Sequence, residues 1–158
     1  MALDDLNPTL EEVGSHLRVR TKTRMGEEIG TFNAETRPTA DQVTPLLARG
    51  ARAVASHIGT EICEGGDAEK QAELYGDSRD AAALKVAMRI ERSYFAEQVG
   101  SGKSPYKEML DEYKEGIKTL IEAVAEHCGG GDGESVGGAG LLPEGSFPPA
   151  ADTEQVQW

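Results

Sequence analysis

The chain is poor in the residues that build catalytic and metal centres. It holds two cysteines, three histidines and one tryptophan in 158 residues. Cys63 and Cys128 are too few for a disulfide framework, and a reducing compartment would keep both as thiols. No run approaches the roughly 18 apolar residues of a membrane span, so no membrane segment is expected. The opening stretch MALDDLNPTLEE is acidic where a signal peptide is basic and then apolar, which predicts synthesis and use in the cytosol. Positive charge is scarce too. Sixteen Lys and Arg against 28 Asp and Glu leave a net charge of −12, a field of the wrong sign for a free-standing nucleic-acid binder.

What the chain does have is helical periodicity, clearest from Ser104 to His127. Tyr106, Met109, Leu110, Tyr113, Ile117, Leu120, Ile121 and Val124 recur at spacings of three and four and lay one apolar stripe along a helix. Ser104 is placed to cap it, Pro105 suits its first turn, and Gly129 to Gly131 stop it. Such a stripe needs other helices to pack on. A short one is expected from Thr9 to Leu17, where Thr9 and Glu12 have capping-box spacing, although Gly14 weakens it. Another opens at Pro38 and Thr39 with the stripe Val43, Leu47, Ala51, Val54 and Ile58. Pro45 conflicts with its interior, so either the helix kinks there or Thr44 is the true cap. After a weak region containing Gly65 and Gly66, with a brief helical turn at Ala68 to Leu74, Asp77 or Ser78 caps a long helix to about Gln98. Its apolar positions cover more than one narrow seam, while Lys85, Arg89 and Arg92 line its polar side, which makes it the central helix.

One segment changes period. Arg18, Arg20, Lys22 and Arg24 alternate with Val19, Thr21 and Thr23, which predicts a strand with all four bases on one face. Met25 to Glu28 makes a plausible turn and Ile29 to Asn33 a returning strand, so a β-hairpin is expected at about residues 18–33. The segment lies in the only net-basic zone, residues 18–52, with seven bases against four acids. The basic face is either a solvated edge guarded by charge or a contact for an acidic partner surface. In an acidic protein a second copy qualifies as that partner, and basic hairpin against acidic helix face, repeated head to tail, closes into a ring.

No catalytic or cofactor motif emerges. GSGKS at Gly100 to Ser104 resembles the end of a phosphate-binding loop, but position 97 is Glu where that loop needs Gly, and a helix precedes it where a strand is required. His57, Cys63, His127 and Cys128 are metal-ligand types in no usual zinc spacing. A Cys–His nucleophile pair or a carboxylate dyad would rest on residue types alone. No enzyme activity, cofactor or metal is expected.

Beyond Cys128 the chain is rich in Gly and Pro and carries five acids and no bases. Residues 129–158 read as a flexible tail, disordered in the isolated subunit. Leu141, Leu142, Phe147 and Trp158 are the apolar spots that a docking tail would use; an unbound solvated end is the plainer reading.

The order of elements is familiar. LRVRTKTRMGEEIGTFNAETRPTADQV, then LYGDSRDAAALKVAMRIERSYFAEQ, then SPYKEMLDEYKEGIKTLIEAVAE resembles the head-to-tail connector, or adaptor, proteins of long-tailed double-stranded DNA phages infecting actinobacteria. The resemblance covers about residues 8–127. Its most specific pieces are GTFNAETRPTADQV and the segment at Tyr94 and Phe95, with a short loop and an aromatic helix start after it.

The resemblance implies a ring, usually of twelve copies, in the virion neck between capsid and tail, assembled in the host cytoplasm. Such a ring binds the portal, extends the DNA channel and offers a platform to the next neck or tail protein. Double-stranded DNA would pass through without sequence-specific binding, helped by an acidic lumen that repels phosphate. The tail would become ordered there by laying Leu141, Leu142, Phe147 or Trp158 on a neighbour or on the portal.

The expectation is therefore a mainly α protein: a small bundle of three main helices and a short N-terminal helix over residues 1–128, with a β-hairpin and a long Gly/Pro-rich tail. Its candidate assembly interface is Arg18, Arg20, Lys22 and Arg24 together with the four apolar tail residues. A small soluble regulatory module that binds one acidic partner through the basic hairpin is the alternative.

Overall fold

A computed structural model describes residues 3–59, 61–63 and 67–129. The architecture is helical: after a 3-10 turn at Leu3–Leu6 come α1 (Leu10–His16), α2 (Ala40–Ile58), α3 (Ala68–Tyr94), the short α4 (Ala96–Gly100) and α5 (Tyr106–Gly129). The capping box of α1 forms as its spacing predicts. Glu12 N–H donates to Thr9 Oγ1 at 3.1 Å, and Thr9 N–H donates to Glu12 Oε2 at 2.7 Å.

The 27-residue α3, about 40 Å long at the usual helical rise, is the centre of the bundle and packs against α1, α2, α4 and α5. Its buried residues, Ala82, Ala83, Leu84, Val86, Ala87, Met88 and Ile90, cover most of its circumference and leave the side of Arg89 and Arg92 exposed. Those of α5 are Met109, Tyr113, Ile117, Leu120 and Val124, one side of the helix as the stripe predicts, while Ile121 is 40% exposed. Two glycines let backbones close on one another. A Cβ on Gly50 would stand 2.6 Å from Val86 Cγ2 and 2.7 Å from the Ala82 carbonyl oxygen, so α2 and α3 cross at this point. A Cβ on Gly14 would overlap the Gly30 carbonyl oxygen, which explains a residue otherwise unfavourable in a helix.

The segment GTFNAETRPTADQV forms a compact polar lead into α2. Asn33 Oδ1 accepts from the N–H groups of Glu35 and Thr36, and Thr36, itself buried, donates its hydroxyl to the Pro38 carbonyl at 2.8 Å. Ala40 N–H donates to the Asn33 carbonyl, and Gln42 Oε1 accepts from Thr39 N–H. Thr39 is thus the cap, and α2 runs through Pro45 without restarting at Thr44. Thr44 donates its hydroxyl back to the Ala40 carbonyl instead.

Three expectations are corrected. The β-hairpin does not form: among the described residues there is no strand, only a single antiparallel bridge between Lys22 and Glu28. Arg18–Arg20 winds as a 3-10 turn directly after α1, held by Arg20 N–H to the Leu17 carbonyl at 2.7 Å. With about three residues per turn, that winding sends Arg18 and Arg20 in different directions, so the four bases share no face. Second, Ser78 does not start a helix. Asp67 caps α3 through Glu69 N–H, α3 is continuous from Ala68, and the buried Ser78 hydroxyl donates to the Leu74 carbonyl one turn back.

Third, Cys63 and Cys128 are joined as a disulfide with Cα atoms 5.5 Å apart, not held as separate thiols. The bond fastens the segment after α2 to the end of α5. Its surroundings cooperate: Gln71 Nε2 donates to the Ile62 and Cys63 carbonyls, and Tyr75 Oη accepts from Ile62 N–H.

Candidate assembly surface

Of the predicted interface bases, Arg20 belongs to the interior. Its Nε donates to Glu91 Oε1 at 2.7 Å and its Nη2 to Glu91 Oε2 at 3.1 Å, while Nη2 also reaches Gln98 Oε1 at 2.6 Å. The guanidinium carbon lies 3.6 Å from the centre of the Phe95 ring. Glu91 is fully buried on α3, and Ser104 donates its hydroxyl to Glu91 Oε2 at 2.7 Å. The same Ser104 oxygen accepts from Tyr106 N–H and caps α5. In the GSGKS stretch the serine is therefore committed to a buried carboxylate and a helix start, and Lys103 is exposed beside it.

Arg18, Lys22 and Arg24 stay outside. All three are exposed and none makes an ion pair among the described residues. They share their loop with Val19, 70% exposed, and Met25, 89% exposed, the two most exposed large apolar side chains among the described residues. The loop is pinned at its base, where Thr21 is buried, Thr23 N–H donates to the Glu27 carbonyl and Ile29 N–H to the Thr21 carbonyl. Its outer side chains are the free part. Leu141, Leu142, Phe147 and Trp158 lie outside the described residues.

Two grooves along α3 carry opposite charge. One, of about 460 Å³, has α3 as its floor, α2 on one side and Tyr106 of α5 at its end. Arg49, Lys85, Arg89 and Arg92 line it, and no carboxylate does. The other, of about 430 Å³, lies between α3 and α5 and is lined by Asp77, Asp80, Glu112 and Glu115 with no lysine or arginine. Tyr113 lines this acidic groove, 6% exposed, and its hydroxyl is sealed from solvent with no hydrogen-bond partner among the described residues. Burial pushes its phenol above the ordinary tyrosine range, and Lys85 Nζ lies 4.5 Å from the centre of its ring. On the α1 side, His16 Nε2 is 3.1 Å from Asp80 Oδ1.

The sequence places Lys85, Arg89 and Arg92 on one polar face, but it gave no sign of the Gly50 crossing that sets Arg49 beside them. Nor could it announce Glu91, one acid among the many on these helices. Among the described residues, no group of three or more His, Cys, Asp or Glu is arranged to hold a metal ion. His57 is exposed near the end of α2, and His127 Nε2 meets the Cys63 carbonyl at 3.2 Å. No described helix is long and apolar enough to cross a membrane. Comparison with protein-family models, curated proteins and solved structures finds no match to the chain.

Proposed function

We propose that this chain is a structural virion protein, a head-to-tail adaptor whose copies form a ring under the portal, extend the DNA channel and dock the next neck or tail protein. The observation that carries the reading is the loop at residues 18–28. Three cations that make no ion pair among the described residues and two exposed apolar side chains project from an acidic helical body, which is the chemistry of a surface completed by another protein chain. The order of sequence segments described above supports it. An acidic body suits a conduit, because carboxylates along a channel repel the phosphates that must slide past them. The reading assigns no catalytic residue and no cofactor.

The same loop supports a second reading, a small soluble module that binds one acidic partner. Co-sedimentation with the portal ring encoded in the same genome separates them. An adaptor joins the ring in many copies, and Arg18→Glu, Lys22→Glu, Arg24→Glu together reduce that binding at least tenfold while the helical circular dichroism is unchanged. A chain that never sediments with the portal sinks the adaptor reading.

A further inference from the structure

We infer that the two grooves along α3 are the two halves of one contact: the acidic groove of one copy meets the basic groove of the next. The inference rests on the reading of the chain as a ring-forming subunit, and it names the faces that make the ring.

Local energetics point to an absent partner. Lys85 and Arg89 are four residues apart on α3, and Arg89 and Arg92 three apart, spacings at which like charges repel along a helix. Asp77 and Asp80, and Glu112 and Glu115, repeat the arrangement with the opposite sign. Asp80 already meets His16, but Asp77, Glu112 and Glu115 on one side and Arg49, Lys85, Arg89 and Arg92 on the other make no ion pair among the described residues, a local cost that is offset when the opposite charge docks.

Chemistry selects the partner. Guanidinium groups match carboxylates through paired hydrogen bonds, and a second copy supplies four carboxylates in one groove. Asp77, Asp80, Glu112 and Glu115 are all exposed and so within reach of an incoming guanidinium, which has donors and no acceptor. A nucleic acid would satisfy the basic groove but leave the acidic groove unmatched, and it would approach a chain of net charge −12. Because the two faces differ, the contact is heterologous, and repetition gives a ring when the rotation closes.

The test is a charge exchange on the full chain. The basic-face variant carries Arg89→Glu and Arg92→Glu; the acidic-face variant carries Glu112→Arg and Glu115→Arg. All four side chains are exposed, and circular dichroism checks that each variant keeps the wild-type helix content. Mass is measured over a concentration series, alone and with the portal ring.

Wild type should assemble, each variant alone should remain at the 16.9 kDa of one chain, and an equal mixture of the two should regain the wild-type mass. Assembly that both variants retain, or a mixture that stays monomeric, overturns the inference and leaves the adaptor reading standing. A wild-type chain that never assembles, with or without portal, removes the ring reading itself. Titration with a short DNA duplex covers the remaining case: tight binding abolished by Arg89→Glu with Arg92→Glu, while assembly is unaffected, assigns the basic groove to nucleic acid and overturns the inference.

Discussion

Arg20 and Glu91, 71 residues apart in sequence, meet through two hydrogen bonds at a point where the Glu91 side chain is sealed from solvent and that of Arg20 is 15% exposed. The pair joins the turn after α1 to the end of α3, and through Ser104 it also fixes the start of α5. Removing one partner strands the other. Arg20→Met should cost about 3–5 kcal/mol, because a buried carboxylate loses its counter-charge. The double variant Arg20→Met, Glu91→Met should recover most of that loss in urea titrations. A single variant that unfolds no more easily than wild type would show the pair to be incidental.

The disulfide between Cys63 and Cys128 closes a loop of sequence separation 65. Cys63→Ser should lower stability by about 2–4 kcal/mol, chiefly by freeing the unfolded chain. Far-UV circular dichroism at room temperature should not change, since the helices have their own buried contacts. Calorimetry of wild type with and without reductant makes the same comparison, and identical melting curves would count against the bridge.

At Gly50 the crossing of α2 and α3 leaves no room for a methyl group. Gly50→Ala should destabilise by about 1–3 kcal/mol through overpacking. Gly76, inside α3 with open space around it, is the control. There, alanine should stabilise by up to about 1 kcal/mol on helix propensity. Equal effects at the two sites would mean that the helices do not cross at Gly50.

Tyr113 predicts a pH dependence. Its phenol is held above the ordinary value by burial, so above about pH 10 the unfolded chain releases the proton before the folded one does. Stability contributed by the neutral phenol is intact below that pH and falls as pH rises through the folded value. Tyr113→Phe should flatten the decline in urea midpoint between about pH 9 and about pH 11. At neutral pH it should be close to neutral or slightly stabilising, since the hydroxyl has no partner to lose. An unchanged slope would place the phenol in water.

Long-range arrangement was the least legible part of this sequence. The α5 stripe and the Thr9–Glu12 capping box could be read because both depend on residues within one or two turns of each other. Arg18 to Arg24 misled because seven alternating residues fit a strand, while the actual conformation follows from Arg20 pairing with a carboxylate 71 positions away. Ser78 looked like a cap because serine serves both as a cap and as a buried back-bonding residue, and tertiary burial decides between them. The Cys63–Cys128 pair left no local spacing signal. Of the candidate surface, only the exposure of Arg18, Lys22 and Arg24 was legible. The paired grooves required knowing which helices lie side by side.

The most direct measurement of the central claim is a density map of the portal ring incubated with the full chain. The account predicts a closed collar of copies coaxial with the portal, its channel continuous with the portal's, and the loop at residues 18–28 buried against a neighbouring chain. A bare portal beside free 16.9 kDa chains, or single copies scattered on its outer wall, would contradict it.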